Sequence, residues 1–410
     1  MLNTLLRYEW VFWTAACIAT VFLNPADFPF FIALPIFAVL RPIAGKPILP
    51  DSRLALPIFG LLLMIGVSAI VTPDLAFSFR KIAGLLNGIG LFISLSIAAK
   101  EWVNSPTWLL LLFGMIIAGA GALGADIYAR IPLLFPLFRF FYRLVPLFPS
   151  VGRVLNPNLI AGAMLMTLLP AVGLFLSARQ KQQPVLAIVS AICMCVQTFM
   201  LLIMQSRGAI IAASFGAFAI VYLLRPNIRV TMRRFLLGGI FLILLLVLPI
   251  WPQAVQEQLQ SAYFATLVKG DEGEKGLDSL SIRLQIWDRA AKNIKDQPLT
   301  GQGMNIFRTI ANEPTPILPS GNEIPHAHNW ALQIILELGA LGLLFYGWLL
   351  ALAVGNLRNA WREKPSLRAK TAGVAAALLA FMIFGLLDTI SPGARPEFIF
   401  WTLLAAAMAA

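Results

Sequence analysis

Apolar runs of about membrane-spanning length, separated by short charged stretches, recur along this chain. Backbone polar groups in hydrocarbon must be satisfied internally, so such runs fold as membrane-crossing helices. Of 410 residues, 59% are hydrophobic and only 12% charged, about half the charged share of a soluble globular protein. That is too little charge to clothe a soluble core of this size. The expected fold is an all-α integral membrane protein with many spans.

The apolar-length criterion predicts about twelve transmembrane helices, near 10–24, 28–40, 54–72, 82–99, 107–123, 157–177, 184–204, 208–224, 235–251, 329–353, 371–387 and 396–410. Residues 1–251 then hold the first nine, with an aromatic- and proline-rich segment near 124–156 expected to lie along the membrane interface. Residues 252–327 form one long outer loop with short helices, and residues 328–410 hold the last three spans. The start, with Arg7 and Glu9, leads into a span without an evident cleavage site, as a retained first helix does. Cys17, Cys193 and Cys195 each sit in an apolar run and read as small buried residues. They form no disulfide framework and no zinc or redox pair.

The net charge is +12, yet the basic residues fall in loops between spans with no single patch, so no nucleic-acid partner is expected. Cytoplasmic loops retain Lys and Arg. With both termini inside, 16 of the 31 basic residues are internal and seven of the others lie in the long loop, which translocates largely regardless of charge. The remaining eight are Arg80, Lys81, Arg130, Arg139, Arg143, Arg153, Arg207 and Arg395. As a group they suggest an outer surface that handles an anion such as a phosphate-bearing lipid.

In the long loop, helices are expected over Gln253 to Val268 and from about Ser279 to Lys295, with Asp278 or Ser279 as N-cap. Arg283 shares a face with Trp287, Ala290 and Ile294, while Arg289 points elsewhere. From spacing alone Arg283 either snorkels or reaches a ligand. The Q-P-L-T-G-Q-G turn after it lacks the G-K-[ST] ending of a nucleotide loop. The only two histidines, His326 and His328, then stand where the loop enters a membrane helix. Three readings compete. The pair ligates a metal, although two ligands are too few and Glu323 is the only close carboxylate; or it has no chemistry; or His328, nearer the helix start, is a general base kept neutral by the helix dipole.

The sequence His328-Asn329, nine residues, then Gly339-Ala340-Leu341-Gly342, with Glu337 in L-E-L-G, resembles the O-antigen ligase and polymerase superfamily. N-P-N at 156–158, S-R-G at 206–208 and R-L-Q-I-W-D-R-A at 283–290 followed by P-L-T-G-Q-G are also similar, so the resemblance covers roughly the second two thirds of the chain. It implies a GT-C-like membrane glycosyltransferase. Such an enzyme moves a glycan from undecaprenyl pyrophosphate to an acceptor at the periplasmic face of the bacterial inner membrane, without metal or other cofactor. It further implies that His328 is the base, that Arg207 and Arg283 are the two key arginines, and that Lys81, in the outer loop before the fourth span, helps hold the carrier. Arg80, Arg153, Asn156, Asn158, Asn329 and His326 are the accompanying candidates for substrate binding.

The residues support such a reaction. Pyrophosphate departs as an anion and needs charge neutralisation, which arginine supplies with paired donors. The acceptor hydroxyl is a weak nucleophile and needs a base. The expectation is an O-antigen ligase acting on the lipid A core, with a polymerase or a protein O-oligosaccharyltransferase as alternatives within the superfamily. A secondary transporter is the rival of another class. It predicts paired halves, broken helices and mid-membrane charge; there is no convincing internal repeat, and Glu337 is the main mid-span charge.

Overall fold

A computed structural model describes residues 2–23, 29–100, 105–122, 156–204, 206–224, 279–311, 313, 315, 317 and 324–410. The expected interfacial segment up to residue 155 (with Arg153), the ninth span and the first loop helix lie outside the described residues. So does Glu323.

Among the described residues the chain is helical and contains no strand. The helices are α1 (Leu2–Arg7), α2 (Glu9–Phe22), α3 (Ala33–Ile43), α4 (Ala55–Val71), α5 (Leu75–Ala98), α6 (Ser105–Ala122), α7 (Pro157–Gln180), α8 (Pro184–Ile203), α9 (Arg207–Leu224), α10 (Ser279–Asp296), α11 (Phe307–Ile310), α12 (Trp330–Glu363), α13 (Arg368–Gly385) and α14 (Phe398–Met408). Several start on a side-chain cap that occupies an orphan backbone N–H. Asp74 accepts from Phe77 N at 2.9 Å, Asn156 from Leu159 N at 2.8 Å and Asn329 from Leu332 N at 3.0 Å. Pro157 and Pro184 follow their caps at the first helical position, where the missing N–H is harmless.

A helix stands at every expected span except the ninth, which is outside the described residues. Among the described residues, seven helical segments are long and apolar enough to cross a membrane: Ser52–Val71, Leu75–Ala98, Pro157–Gln180, Pro184–Ile203, Arg207–Leu224, Trp330–Glu363 and Pro365–Gly385. Glu9–Phe22, Phe30–Ile43 and Pro106–Ala122 are shorter apolar helices. The bundle is centred on α7 and α13, which are buried along most of their length. Their backbones cross at a glycine pair: a Cβ at Gly173 would lie 3.0 Å from Gly373 Cα and 2.6 Å from Ala369 O. Lipid supplies no hydrophobic drive between helices, so close packing through small residues holds such a crossing.

Helix ends sort into two groups. The ends of α4, α12 and α13 that face the long loop gather with the starts of α5, α7, α9 and α14. At the opposite end, Glu9 and Arg41 form a buried pair at 2.5 Å, each side chain 4% exposed. There too Arg53 donates to Asn356 at 3.2 Å and Lys100 to Pro50 O at 2.8 Å.

Several expectations are corrected. Lys81 is not in an outer loop; α5 begins at Leu75, capped by Asp74, and Lys81 lies within it. The charges of Arg80 and Lys81 interrupt the apolar run without interrupting the helix. Arg41, counted as a loop charge, is buried in α3 and neutralised by Glu9. Cys17 and Cys193 are buried as expected, but Cys195 is exposed because it falls on the outward face of α8. The tenth span is not one continuous helix. Gly339 adopts φ 71°, ψ 176° inside α12 and separates a short half-helix, 330–338, from a long one, 340–363. The Q-P-L-T-G-Q-G turn fills this break: Gln302 N donates to Leu336 O at 2.7 Å and Ala340 N to Pro298 O at 2.8 Å. The turn thereby occupies backbone groups that the interruption frees. A Cβ at Gly339 would overlap the Leu299 carbonyl, so only glycine fits.

Candidate active site

The half-helix 330–338 starts at its Asn329 cap, and the two histidines lie just before it. His328 is in the left-handed region at φ 48°, uncommon for a residue with a side chain and most tolerated by Asn, Asp and His. The backbone between the histidines is pinned by the side chain of buried Gln333, whose Oε1 accepts from Ala327 N at 2.6 Å. Asn329 Nδ2 donates to Leu386 O at 3.2 Å, tying the cap to the turn after α13. Both ends of the Asn329 amide are thus engaged in holding the backbone.

That turn carries Asp388, a residue the sequence reading missed. Its Oδ1 lies 3.1 Å from His326 Nε2 and 3.3 Å from His328 Nδ1, and accepts from Thr389 N at 2.8 Å. Its Oδ2 faces Arg283 Nη2 at 3.8 Å. The carboxylate is 3% exposed, His326 4%, His328 22% and Arg283 26%. Two histidines from the loop, one arginine from α10 and one aspartate from beyond α13 therefore converge on one point. The sequence did offer one signal: Asp388 is an acidic residue at the end of an apolar run, in a D-T-I-S-P-G turn.

Burial pushes His326 down to about 4, helped by the neighbouring His328 and Lys81 charges against the pull of Asp388. It is thus a neutral donor to Asp388. Burial alone would raise the Asp388 carboxyl, but hydrogen bonding from the facing imidazoles holds it well below the usual carboxylate range. A carboxylate facing Nδ1 at 3.3 Å favours the neutral His328 tautomer that carries its proton there and leaves Nε2 as the acceptor.

Arg283 reaches the cluster because α10 packs through Ile286 and Ala290, both buried, against Phe307, Ala327 and Leu336. Arg289 points away and donates to Ala311 O and Thr315 O, as the spacing predicts. Arg207 is exposed at the first position of α9. Its neighbour Gly208 lies against Leu387, since a Cβ there would be 3.8 Å from Leu387 Cβ, so Arg207 borders the Asp388 turn. Asn156 caps α7, and Asn158 is half-buried beside it.

Lys81 pairs with fully buried Glu337 at 2.5 Å, close enough to His326 for its charge to act there. The same Glu337 oxygen accepts from Asn305 N at 2.9 Å, and Asn305 Nδ2 donates to Phe77 O at 3.1 Å. Glu337 thus ties the half-helix, the turn after α10 and α5 into one scaffold. Arg80, by contrast, is exposed and close enough to Arg395 for its charge to act there; the Arg395 guanidinium donates to Val21 O at 3.0 Å. It makes no hydrogen bond or ion pair with the histidine cluster among the described residues.

His326, His328 and Asp388 offer three ligand atoms within 4.8 Å of one another, one more than the sequence suggested. Among the described residues they form the group that could hold a metal ion. Arg283 beside the free carboxylate oxygen supplies positive charge at the same place, which disfavours a cation there.

Residues 189–347 match the family described as O-antigen ligase. The match supports the resemblance of this part of the chain to the O-antigen ligase and polymerase superfamily. No curated protein matches the chain. The matched stretch contains Arg207, Arg283, His326, His328, Glu337 and Gly339, whereas Lys81, Asn156 and Asp388 lie outside it. Members of this family are glycosyltransferase-like enzymes, and the family implies lipid-linked glycan substrates in a membrane setting.

Proposed function

We propose that the protein is an O-antigen ligase, transferring a glycan from undecaprenyl pyrophosphate to a hydroxyl of the lipid A core by metal-independent, inverting transfer. The observation that carries this is the convergence of His326, His328 and Arg283 on Asp388 at one end of an apolar bundle. In the reaction, His328 Nε2 accepts the proton of the acceptor hydroxyl as its oxygen bonds to the anomeric carbon. The bond from that carbon to the pyrophosphate oxygen breaks, and its electrons leave with the diphosphate. Arg207 and Arg283 neutralise that leaving charge, while Lys81, paired with Glu337, braces the half-helix behind the histidines. Attack opposite the leaving group inverts the anomeric centre.

The reading includes about twelve spans in a GT-C-like arrangement in the bacterial inner membrane. The termini are then cytoplasmic and the histidine end periplasmic. That end holds Arg207 and Arg283, while the opposite end carries the cations that the positive-inside rule assigns to the cytoplasm. The interrupted helix at Gly339 and the buried Lys81–Glu337 pair are features a transporter also has. Here the break is closed by the 298–302 turn and serves to hold the half-helix behind the histidines.

Deletion of the gene followed by lipopolysaccharide analysis tests the acceptor. A ligase leaves bare core and polymerised glycan on its carrier. Core capped by a single repeat points to a polymerase, and an unchanged profile to a protein acceptor or to transport. In purified enzyme, His328→Ala abolishes transfer; near-parental activity in this variant rules out the base assignment. Transfer should persist in excess chelator, and its loss with rescue by a divalent ion would favour the metal reading.

A further inference from the structure

Glu397 ends the short turn 395–397 that leads into α14, and it is only 4% exposed. It has no cationic partner among the described residues, and no step of the transfer uses it. A buried carboxyl is costly unless its oxygens are hydrogen-bonded. Here each oxygen takes one donor. Oε1 accepts from the Tyr346 hydroxyl at 2.9 Å and Oε2 from Gly393 N at 2.5 Å.

The two donors serve the two arms of the histidine–aspartate cluster. Gly393 lies in the turn that carries Asp388, and every residue from 388 to 393 is buried. Its φ is 71° and its backbone is pressed on α5: a Cβ at Gly393 would overlap Lys81 O, and one at Gly84 would lie 2.3 Å from Gly393 O. Tyr346 lies in the long half of α12, beyond the break at Gly339, and is fully buried. Its ring meets Trp330 edge to face, 5.7 Å between centroids. Trp330 opens the half-helix, next to the Asn329 cap and two residues after His328. Asn329 Nδ2 holds the start of the aspartate turn through Leu386 O, and Glu397 holds its end through Gly393 N. We propose that Glu397 is a positioning residue for transfer: through Gly393 and Tyr346 it keeps Asp388 in register with His328. This rests on the reading of His328 and Asp388 as partners in that reaction.

The test combines initial-rate transfer assays with hydrogen–deuterium exchange on the full chain in detergent. Glu397→Leu leaves Gly393 N and the Tyr346 hydroxyl unpaired. Its kcat should fall about 10- to 100-fold with acceptor KM unchanged, and peptides covering 386–397 should exchange faster. Glu397→Gln still accepts from Gly393 N and can donate to the Tyr346 oxygen, so rate and exchange should stay within a few-fold of the parent. In an Asp388→Asn background, Glu397→Leu should add little further loss, because the group it positions is already disabled. A merely structural role would instead lower kcat by the same factor in both backgrounds, and that result overturns the proposal. Parental kcat or parental exchange in folded Glu397→Leu also overturns it. Should Glu397→Leu fail to fold, Tyr346→Phe keeps the ring and removes one donor. A several-fold loss of kcat, absent in the Asp388→Asn background, is then expected, and unchanged kcat refutes the bridge. Parental transfer in Asp388→Asn alone is a different failure: it removes the aspartate from the reaction itself, and this inference falls with it.

Discussion

His328 Nδ1 lies 3.3 Å from Asp388 Oδ1, although the two residues belong to loops at the start of one membrane helix and the end of another. The same oxygen is 3.1 Å from His326 Nε2. One carboxylate therefore faces both imidazoles, and in the proposed reaction the tautomer that leaves His328 Nε2 as base follows from what its Nδ1 faces.

Asp388→Asn keeps the shape and removes the charge. The amide offers a donor as well as an acceptor to the imidazoles, so His328 loses the preference that leaves Nε2 unprotonated. Transfer rate should fall by about 10²–10⁴-fold with little change in acceptor KM. Initial-rate assays check this; a variant within a few-fold of the parent would remove Asp388 from the mechanism.

Arg283→Lys separates charge from geometry. Lysine keeps the positive charge but loses the planar fork that meets a diphosphate with paired donors. A loss on the order of a hundredfold in kcat/KM is expected, and the same for Arg207→Lys. Activity equal to the parent's in either variant would limit that arginine to a diffuse electrostatic role.

Buried His326 titrates near 4 in the folded protein against about 6.5 unfolded. Between these values the unfolded chain binds more protons, so stability is complete above about pH 6.5 and declines as pH falls toward 4, by at most about 1.4 kcal/mol per pH unit. Melting temperature in detergent should drop over that window in the parent. In His326→Gln the drop should flatten, and an identical slope in both would show that His326 is not the titrating group.

What was legible in the sequence follows a physical division. Apolar run length marked the helices because lipid imposes it, and Arg207, Arg283 and His328 were visible as local patterns. Lys81 was placed in a loop because its charge ended the run, although Glu337, far along the chain, neutralises it. Asp388 was invisible because its role comes wholly from tertiary contact with His326, His328 and Arg283. The interruption of α12 was hidden for a related reason: Gly339 in an apolar run reads as a tolerated helical glycine, and only the 298–302 turn stabilises the broken form.

That interruption yields the last prediction. Gly339→Ala must hold φ near 71°, which costs about 1–2 kcal/mol for an L-residue, and its methyl would overlap the Leu299 carbonyl. Relief requires either a continuous helix or withdrawal of the turn, and both break the bonds from Gln302 N to Leu336 O and from Ala340 N to Pro298 O. The variant should lose several kcal/mol in total, seen as a large fall in melting temperature and in transfer. Ala340→Gly, which leaves the break intact, should cost about 1 kcal/mol or less and retain activity. Parental stability in Gly339→Ala would mean that the half-helix is not held by the turn.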